Sequence, residues 1–294
     1  MLRWRILLGA LLIAALIGLL WLDFHASPPA PWLFLLALGF GLAAAQEVVS
    51  LLAAAGYRPL AGVIYGGTAL VISSNAIPLF WFPVSDSHPL ERLGWPLLAF
   101  TIFAVLAALV GEMRRYRQPG GVIVNVALAI FAVAYVGLLL SFALQLRVLG
   151  GPNPGMVALA ALVIVVKLGD TGAYTVGRLF GRHKMAPLIS PGKTMEGAAG
   201  ALLFSCLGAW FSFTYLPLWM HCNIAQSAWS WLLFGLLVGG AGLAGDLAES
   251  LLKRDLGSKD SSSWLPGFGG VLDIVDSILF AAPVAYLCWL LGRV

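Results

Sequence analysis

Nine stretches of apolar residues recur along the chain, at about 5–23, 31–54, 59–82, 95–112, 121–145, 155–178, 197–216, 228–248 and 271–292. A helix of about 20 apolar residues spans the hydrocarbon layer of a bilayer. Strand-like alternation is weak throughout, and in lipid only helices and closed barrels satisfy every backbone hydrogen bond. The sequence therefore predicts an all-α, polytopic integral membrane bundle of about nine transmembrane helices. About four would lie in an N-terminal region over 1–118, and about five, with cytoplasmic loops, in a C-terminal region over 119–294. Composition supports this. The chain is 61% hydrophobic and only 10% charged, where soluble domains carry about 25% charged residues. Disorder is excluded by the same numbers. Nucleic acid is not an expected partner, because the +4 net charge is small and no basic stripe stands out.

Basic residues orient the bundle. With the N-terminus inside, Arg3, Arg5, Arg58, Arg114, Arg115, Arg117, Lys167, Arg178, Arg182, Lys184, Lys193, Lys253, Arg254 and Lys259 fall on inner loops and inner helix ends. Only Arg92, Arg147 and Arg293 of the 17 basic residues remain outside. The positive-inside rule thus predicts a cytoplasmic N-terminus. Trp21, Trp32, Trp81, Trp95, Trp219 and Trp231 fall near the outer boundaries, as an aromatic belt would. The first stretch has a basic start and Ala26 as a small residue. Its apolar core exceeds the roughly 7–15 residues of a signal peptide, so a retained helix is expected. Cys206, Cys222 and Cys288 form no C-x-x-C pair, so neither a disulfide framework nor a zinc site is expected. His221 beside Cys222 is too sparse to hold a metal.

Acidic residues are concentrated. Six of the 13 fall between 246 and 276: Asp246, Glu249, Asp255, Asp260, Asp273 and Asp276. Helical spacing puts Asp246, Glu249, Ser250 and Lys253 on one face, and Asp273 and Asp276 on another. Both faces are expected at the inner membrane level, joined by a loop over about 251–270. That loop carries Lys253, Arg254 and Lys259 and a Pro266-Gly267-Phe268-Gly269-Gly270 turn. An intramembrane carboxylate costs up to about 3 kcal/mol, so four would cost on the order of 10 kcal/mol if uncompensated. Protonation, an internal salt-bridge network with Lys253 and Arg254, or a bound divalent cation would offset that cost. Oxygen-only clusters suit Mg²⁺, which takes a few carboxylates together with substrate phosphates.

A second polar face runs through Lys167, Asp170, Thr171, Tyr174 and Arg178 on the sixth helix. The basic loop after it reads Gly181-Arg182-His183-Lys184, then Ser190-Pro191-Gly192-Lys193-Thr194-Met195-Glu196-Gly197. Gly192-Lys193-Thr194 shares the end of a phosphate-binding P-loop. The first glycine of G-x-x-x-x-G-K-[ST] is missing, and no strand is expected before it, so a Walker A site is rejected. A basic, glycine-bearing inner loop is still suited to hold phosphates, or simply to keep the loop inside. His183 reads as a solvated loop residue. Gln46, Glu47, Asn75 and Pro78 read as packing or kink residues within the apolar stretches.

Carboxylates with Lys and Arg at a membrane's inner face fit phosphoryl or nucleotidyl transfer to a lipid. At this point the residues carry a resemblance. Ser250-x-x-Lys253-Arg254-x-x-x-x-Lys259-Asp260, followed by Pro266-Gly267-x-Gly269-Gly270-x-x-Asp273-x-x-Asp276-Ser277, resembles the C-terminal motif of the phosphatidate cytidylyltransferase (CDP-diacylglycerol synthase) family. Gly245-Asp246-Leu247-x-Glu249-Ser250 before it resembles that family too. So do Asp170-Thr171-Gly172-Ala173-Tyr174, Gly177-Arg178 and Ser190-Pro191-x-Lys193-Thr194-x-Glu196-Gly197. The resemblance covers about 167–280 in order; the earlier helices share only hydropathy.

The resemblance implies an enzyme that joins CTP and phosphatidic acid into CDP-diacylglycerol and pyrophosphate, using Mg²⁺ alone or with K⁺. It implies Asp246 and Asp273 as metal-binding carboxylates at the reaction centre. Charge and position add Lys253, Arg254 and Lys259 as phosphate contacts, and Asp276 and Glu249 as supports of the metal site. Asp170, Tyr174, Arg178, Lys193 and Thr194 would shape the nucleotide or headgroup pocket, with Ser250, Asp260, Gly269 and Gly270 beside the substrate. The family usually has histidine at Phe268 and arginine at Ile274; Lys167 is an extra cation that would substitute. A bacterial inner membrane is the expected location, with the site facing the cytoplasm. Small-residue helix faces allow a homodimer. Two other readings stay open. A CTP-dependent polyprenol- or phytol-type lipid kinase would share CTP, metal and membrane. A cation-coupled transporter would also bury carboxylates, though such sites usually sit near the midplane of repeated halves. A CDP-alcohol phosphotransferase is disfavoured, because its D-x-x-D-G…G-x-x-x-D-x-x-x-D pattern is missing.

Overall fold

A computed structural model describes residues 14, 15, 17–26, 30–81, 89–224, 229–262 and 269–292. Residues 17–24 are helical (α1), and most of the first expected span lies outside the described residues. The order continues α2 (Pro31–Ala54), α3 (Ala61–Ser74), α4 (Ile77–Phe80) and α5 (Pro89–Phe100). A π-helical turn (Thr101–Leu106) joins α5 to α6 (Ala107–Arg115). A second (Val133–Leu138) joins α7 (Val122–Ala132) to α8 (Leu139–Val148). Then come α9 (Pro152–Phe180), β1 (Lys184–Ala186), β2 (Ser190–Thr194), α10 (Met195–Trp219), α11 (Ser230–Asp255) and α12 (Leu272–Leu290). Among the described residues, eight helical runs are long and apolar enough to cross a membrane. They match the second to ninth expected spans. Apolar side chains such as Leu35, Ile123 and Leu207 stay exposed on them, as lipid-facing surface does in a polytopic membrane protein.

The chain forms two compact units, one of Met1–Gln145 with Leu256–Ile274, the other of Leu146–Asp255 with Val275–Val294. The segment 256–274 rejoins the first unit, an interleaving that a linear cut at residue 118 does not express. Within the first unit, Val71, Ala104 and Val133 form a fully buried apolar contact. Gly67 lies against Val133, and Gly137 against Thr68, so α3 packs closely on the second π turn. The third expected span is broken after Ser74. The Asn75 amide donates to the Val71 and Ile72 carbonyls, both at 3.0 Å, and to Ser141 Oγ at 2.8 Å. Side-chain donors of this kind compete with the helix ladder and end or bend it.

Small residues organise the second unit. On α9, Gly169 faces Ser205 and Gly172 faces Gly200 and Phe204 of α10. On α11, Gly235 faces Cys206 and Gly239 faces Ser205. A side chain at these positions would collide, so backbones approach where lipid offers no hydrophobic drive between helices. At Gly245 an added Cβ would sit 2.7 Å from the Asp276 carbonyl oxygen. That close approach sets the charged end of α11 beside the start of α12 within this unit.

The basic loop after α9 is not irregular, as the sequence suggested. It is an antiparallel hairpin, with Lys184 opposite Thr194 and Ala186 opposite Ser190. The rejected Walker A assignment therefore has a strand before Gly192, but its first glycine is still missing, and Lys193 and Thr194 lie in the second strand. Thr194 Oγ1 caps α10 by accepting the Gly197 N–H at 3.0 Å, the usual role of threonine there. Glu196 accepts the Arg182 N–H at 3.0 Å and pairs with His183 Nδ1 at 2.6 Å, closing the base of the hairpin.

Candidate functional site

In the second unit, charge converges from four elements. Lys193 on β2 meets Asp246 on α11, with Nζ 2.8 Å from Oδ2; the two side chains are 17% and 37% exposed. On α9, Lys167 pairs with Asp170 at 3.0 Å. Asp276 at the start of α12 is buried. Its Oδ1 accepts the Ser277 N–H at 2.5 Å and the Ser277 hydroxyl at 3.1 Å. Asp276 lies within electrostatic range of Asp246, Lys167 and Asp170. Three carboxylates and two ammonium groups thus share one region. Such a mixture suits a ligand that brings both anionic phosphate and a cation.

Other expected site residues are otherwise engaged. Lys253, read as a phosphate contact, is buried against Glu249 with Nζ 2.7 Å from Oε2. This realises part of the internal salt-bridge alternative, because positions 249 and 253 are one helical turn apart on α11. Arg254 turns to the hairpin and donates to the Ile189 carbonyl at 3.3 Å. Arg178 donates to the Tyr174 hydroxyl at 2.7 Å, with both side chains exposed. Thr194 spends its hydroxyl on the cap. Ser250 is half-buried, while Lys259 and Asp260 are exposed. Phe268 lies outside the described residues.

Asp273 belongs to the first unit, not to the unit of Asp246. Its Oδ2 accepts the Gly270 N–H at 2.7 Å and the Ser261 hydroxyl at 2.5 Å. Gly269 has φ 87°, a left-handed conformation that favours glycine. Ser261 Oγ is also 3.0 Å from Glu47 Oε2. The sequence reading gives Glu47 a packing or kink role and does not reach Ser261. The signal for Glu47 was present: it is the single charged residue of α2, and ionisable residues inside a membrane span are functional candidates by default.

Among the described residues, no group of three or more His, Cys, Asp or Glu converges as a metal cage, and all three cysteines are free. The carboxylates supply hard oxygen donors only. That donor set fits Mg²⁺, which is held by one or two carboxylates plus waters and substrate phosphates.

Apolar spans with charged side chains gathered near their ends define an integral membrane protein equipped for phosphate chemistry. The cytidylyltransferase family model matches residues 3–291, and the chain belongs to that family. It is a membrane nucleotidyltransferase. It is 32% identical over 290 residues to the phosphatidate cytidylyltransferase of Mycobacterium bovis, covering 96% of this chain and 88% of that protein. It is 33% identical over 214 residues to the phosphatidate cytidylyltransferase of Staphylococcus epidermidis, covering 73% of this chain and 76% of that one. It is also 36% identical over 193 residues to the Escherichia coli protein YnbB, covering 65% and 60% of the two chains.

Proposed function

We propose that the chain is a phosphatidate cytidylyltransferase, acting on CTP and phosphatidic acid to form CDP-diacylglycerol and pyrophosphate in phospholipid biosynthesis. The observation that carries this is the convergence of Lys167, Asp170, Lys193, Asp246 and Asp276 in one unit of a chain alike over nearly its whole length to proteins of that name. A phosphatidate phosphate oxygen forms a bond to the α-phosphorus of CTP. The bond from that phosphorus to the bridging oxygen of the β-phosphate breaks, and pyrophosphate leaves with the electron pair. The nucleophile is already anionic at neutral pH, so no strong general base is needed. Lys193 and Lys167 neutralise phosphate charge, and Asp170, Tyr174 and Arg178 shape the pocket for nucleotide or headgroup.

Asp246 and Asp273 are the proposed ligands of Mg²⁺, alone or with K⁺. When bound, the ion would supply Lewis-acid polarisation of phosphate oxygens. The bacterial relatives and the distribution of basic residues support a bacterial inner membrane with the site facing the cytoplasm. Small-residue helix faces support a homodimer.

The test is turnover by purified protein with CTP labelled at the α- or γ-phosphate. The proposal expects α label in the lipid and γ label in pyrophosphate. Label from the γ position in the lipid would instead mark a lipid kinase. Ion flux in liposomes without CTP turnover would mark a transporter.

A further inference from the structure

We propose that Glu47 is a positioning residue of this enzyme, holding Ser261, Ser262, Val271 and Leu272 and, through them, Asp273 in working geometry. The proposal rests on the reading of Asp273 as a reaction-centre carboxylate. Glu47 lies near the end of α2 and is only 5% exposed. Its Oε1 accepts the Ser262 hydroxyl at 2.9 Å and the Val271 N–H at 2.8 Å. Its Oε2 accepts the Ser261 hydroxyl at 3.0 Å and the Leu272 N–H at 2.9 Å. One carboxylate thus gathers four donors from a segment more than 200 positions away along the chain.

The receiving end explains the arrangement. Val271 immediately precedes α12 and Leu272 opens it, where the first amides have no acceptor within the helix and negative charge is favoured. Asp273 takes the Gly270 N–H from inside the helix, and Glu47 takes the next two from another element. Ser261 joins the two carboxylates, since its oxygen lies within hydrogen-bond distance of both. A hydroxyl carries a single proton, so it donates to one of them at a time. A Cβ at Gly270 would run into both Ser261 Oγ and the Glu47 carboxylate. Any larger residue there would force these side chains to shift. Glu47 touches no group proposed to react; it acts through Ser261 and the start of α12.

The test uses full-length protein in nanodiscs, comparing wild type, Glu47→Gln and Ser262→Ala. Glutamine keeps the size but replaces one acceptor oxygen with an amide that faces two donors. For Glu47→Gln, three results are expected. Amide exchange accelerates at 261–262 and 270–272 and not in the second unit. Affinity for Mn²⁺, used alone as an EPR probe, falls about tenfold, and kcat falls about 10–100-fold with the KM for CTP little changed. Ser262→Ala removes one donor of the four and is expected to cost roughly five- to tenfold in kcat. If Glu47→Gln does not fold, Ser262→Ala decides on the same readouts. Unchanged exchange overturns the proposal. So does a loosened segment with normal kcat and normal Mn²⁺ affinity, because Glu47 would then be a structural tie only. Absent CTP turnover in wild type would sink the reading of the reaction instead, and the exchange result would stand apart from it.

Discussion

The two units handle their carboxylates in opposite ways. In the first, Glu47 and Asp273 accept hydrogen bonds from backbone amides and serine hydroxyls. In the second, Asp246 and Asp170 are partly exposed and face lysines. Hydrogen bonds to fixed backbone amides hold a carboxylate in one place. A partly exposed carboxylate keeps contact with water and is held less firmly by its lysine. The first arrangement therefore suits rigid placement. The second suits exchange, in which Lys193 leaves Asp246 for an incoming phosphate.

Several substitutions would break or sharpen this contrast. Asp246→Asn and Asp273→Asn are both expected to abolish turnover nearly completely, yet to differ in stability. Asp273→Asn should lower the melting temperature of the purified protein, because three hydrogen bonds from Gly270 and Ser261 lose a charged acceptor. Asp246→Asn should lower it less, because the Asp246 side chain is 37% exposed and stays in contact with water. Equal melting shifts would erase the contrast. Next comes Glu249→Ala, which removes the buried carboxylate that pairs with Lys253 and should destabilise by about 3–5 kcal/mol. Pairing it with Lys253→Met should restore much of that loss in the same melting assay. Lys193→Met should weaken CTP use by about ten- to a hundredfold, the scale of one charged hydrogen bond. A wild-type rate in this variant would mean that Lys193 only neutralises Asp246. Smallest is Thr194→Ala, which removes the cap of α10 and should cost about 1 kcal/mol. Activity that collapses without that modest melting shift would instead put the Thr194 hydroxyl on substrate.

The reach of sequence reasoning varied with the kind of contact. The face carrying Lys167, Asp170, Tyr174 and Arg178 was legible because helical spacing alone makes neighbours of them, and the pairs 167–170 and 174–178 indeed touch. The Glu249–Lys253 pair follows the same spacing, although charge alone suggested phosphate for Lys253. The hairpin was not legible, because strands of three and five residues leave no alternation to read. Glu47 was read as a packing residue, since nothing local tells which distant donors a lone carboxylate will meet.

By itself the sequence determined the membrane-spanning helices, because a backbone in lipid must satisfy its own hydrogen bonds and long apolar runs leave it one way to do so. It also determined which residue types could handle phosphate. Tertiary structure alone decided the partners that lie on different elements: Lys193 with Asp246, and Glu47 with the start of α12. Close approaches at glycines accompany them, with Gly245 against Asp276 and Gly270 against Ser261 and Glu47. Helical or strand periodicity carries no information about such approaches, because they arise only when elements far apart in the chain pack together.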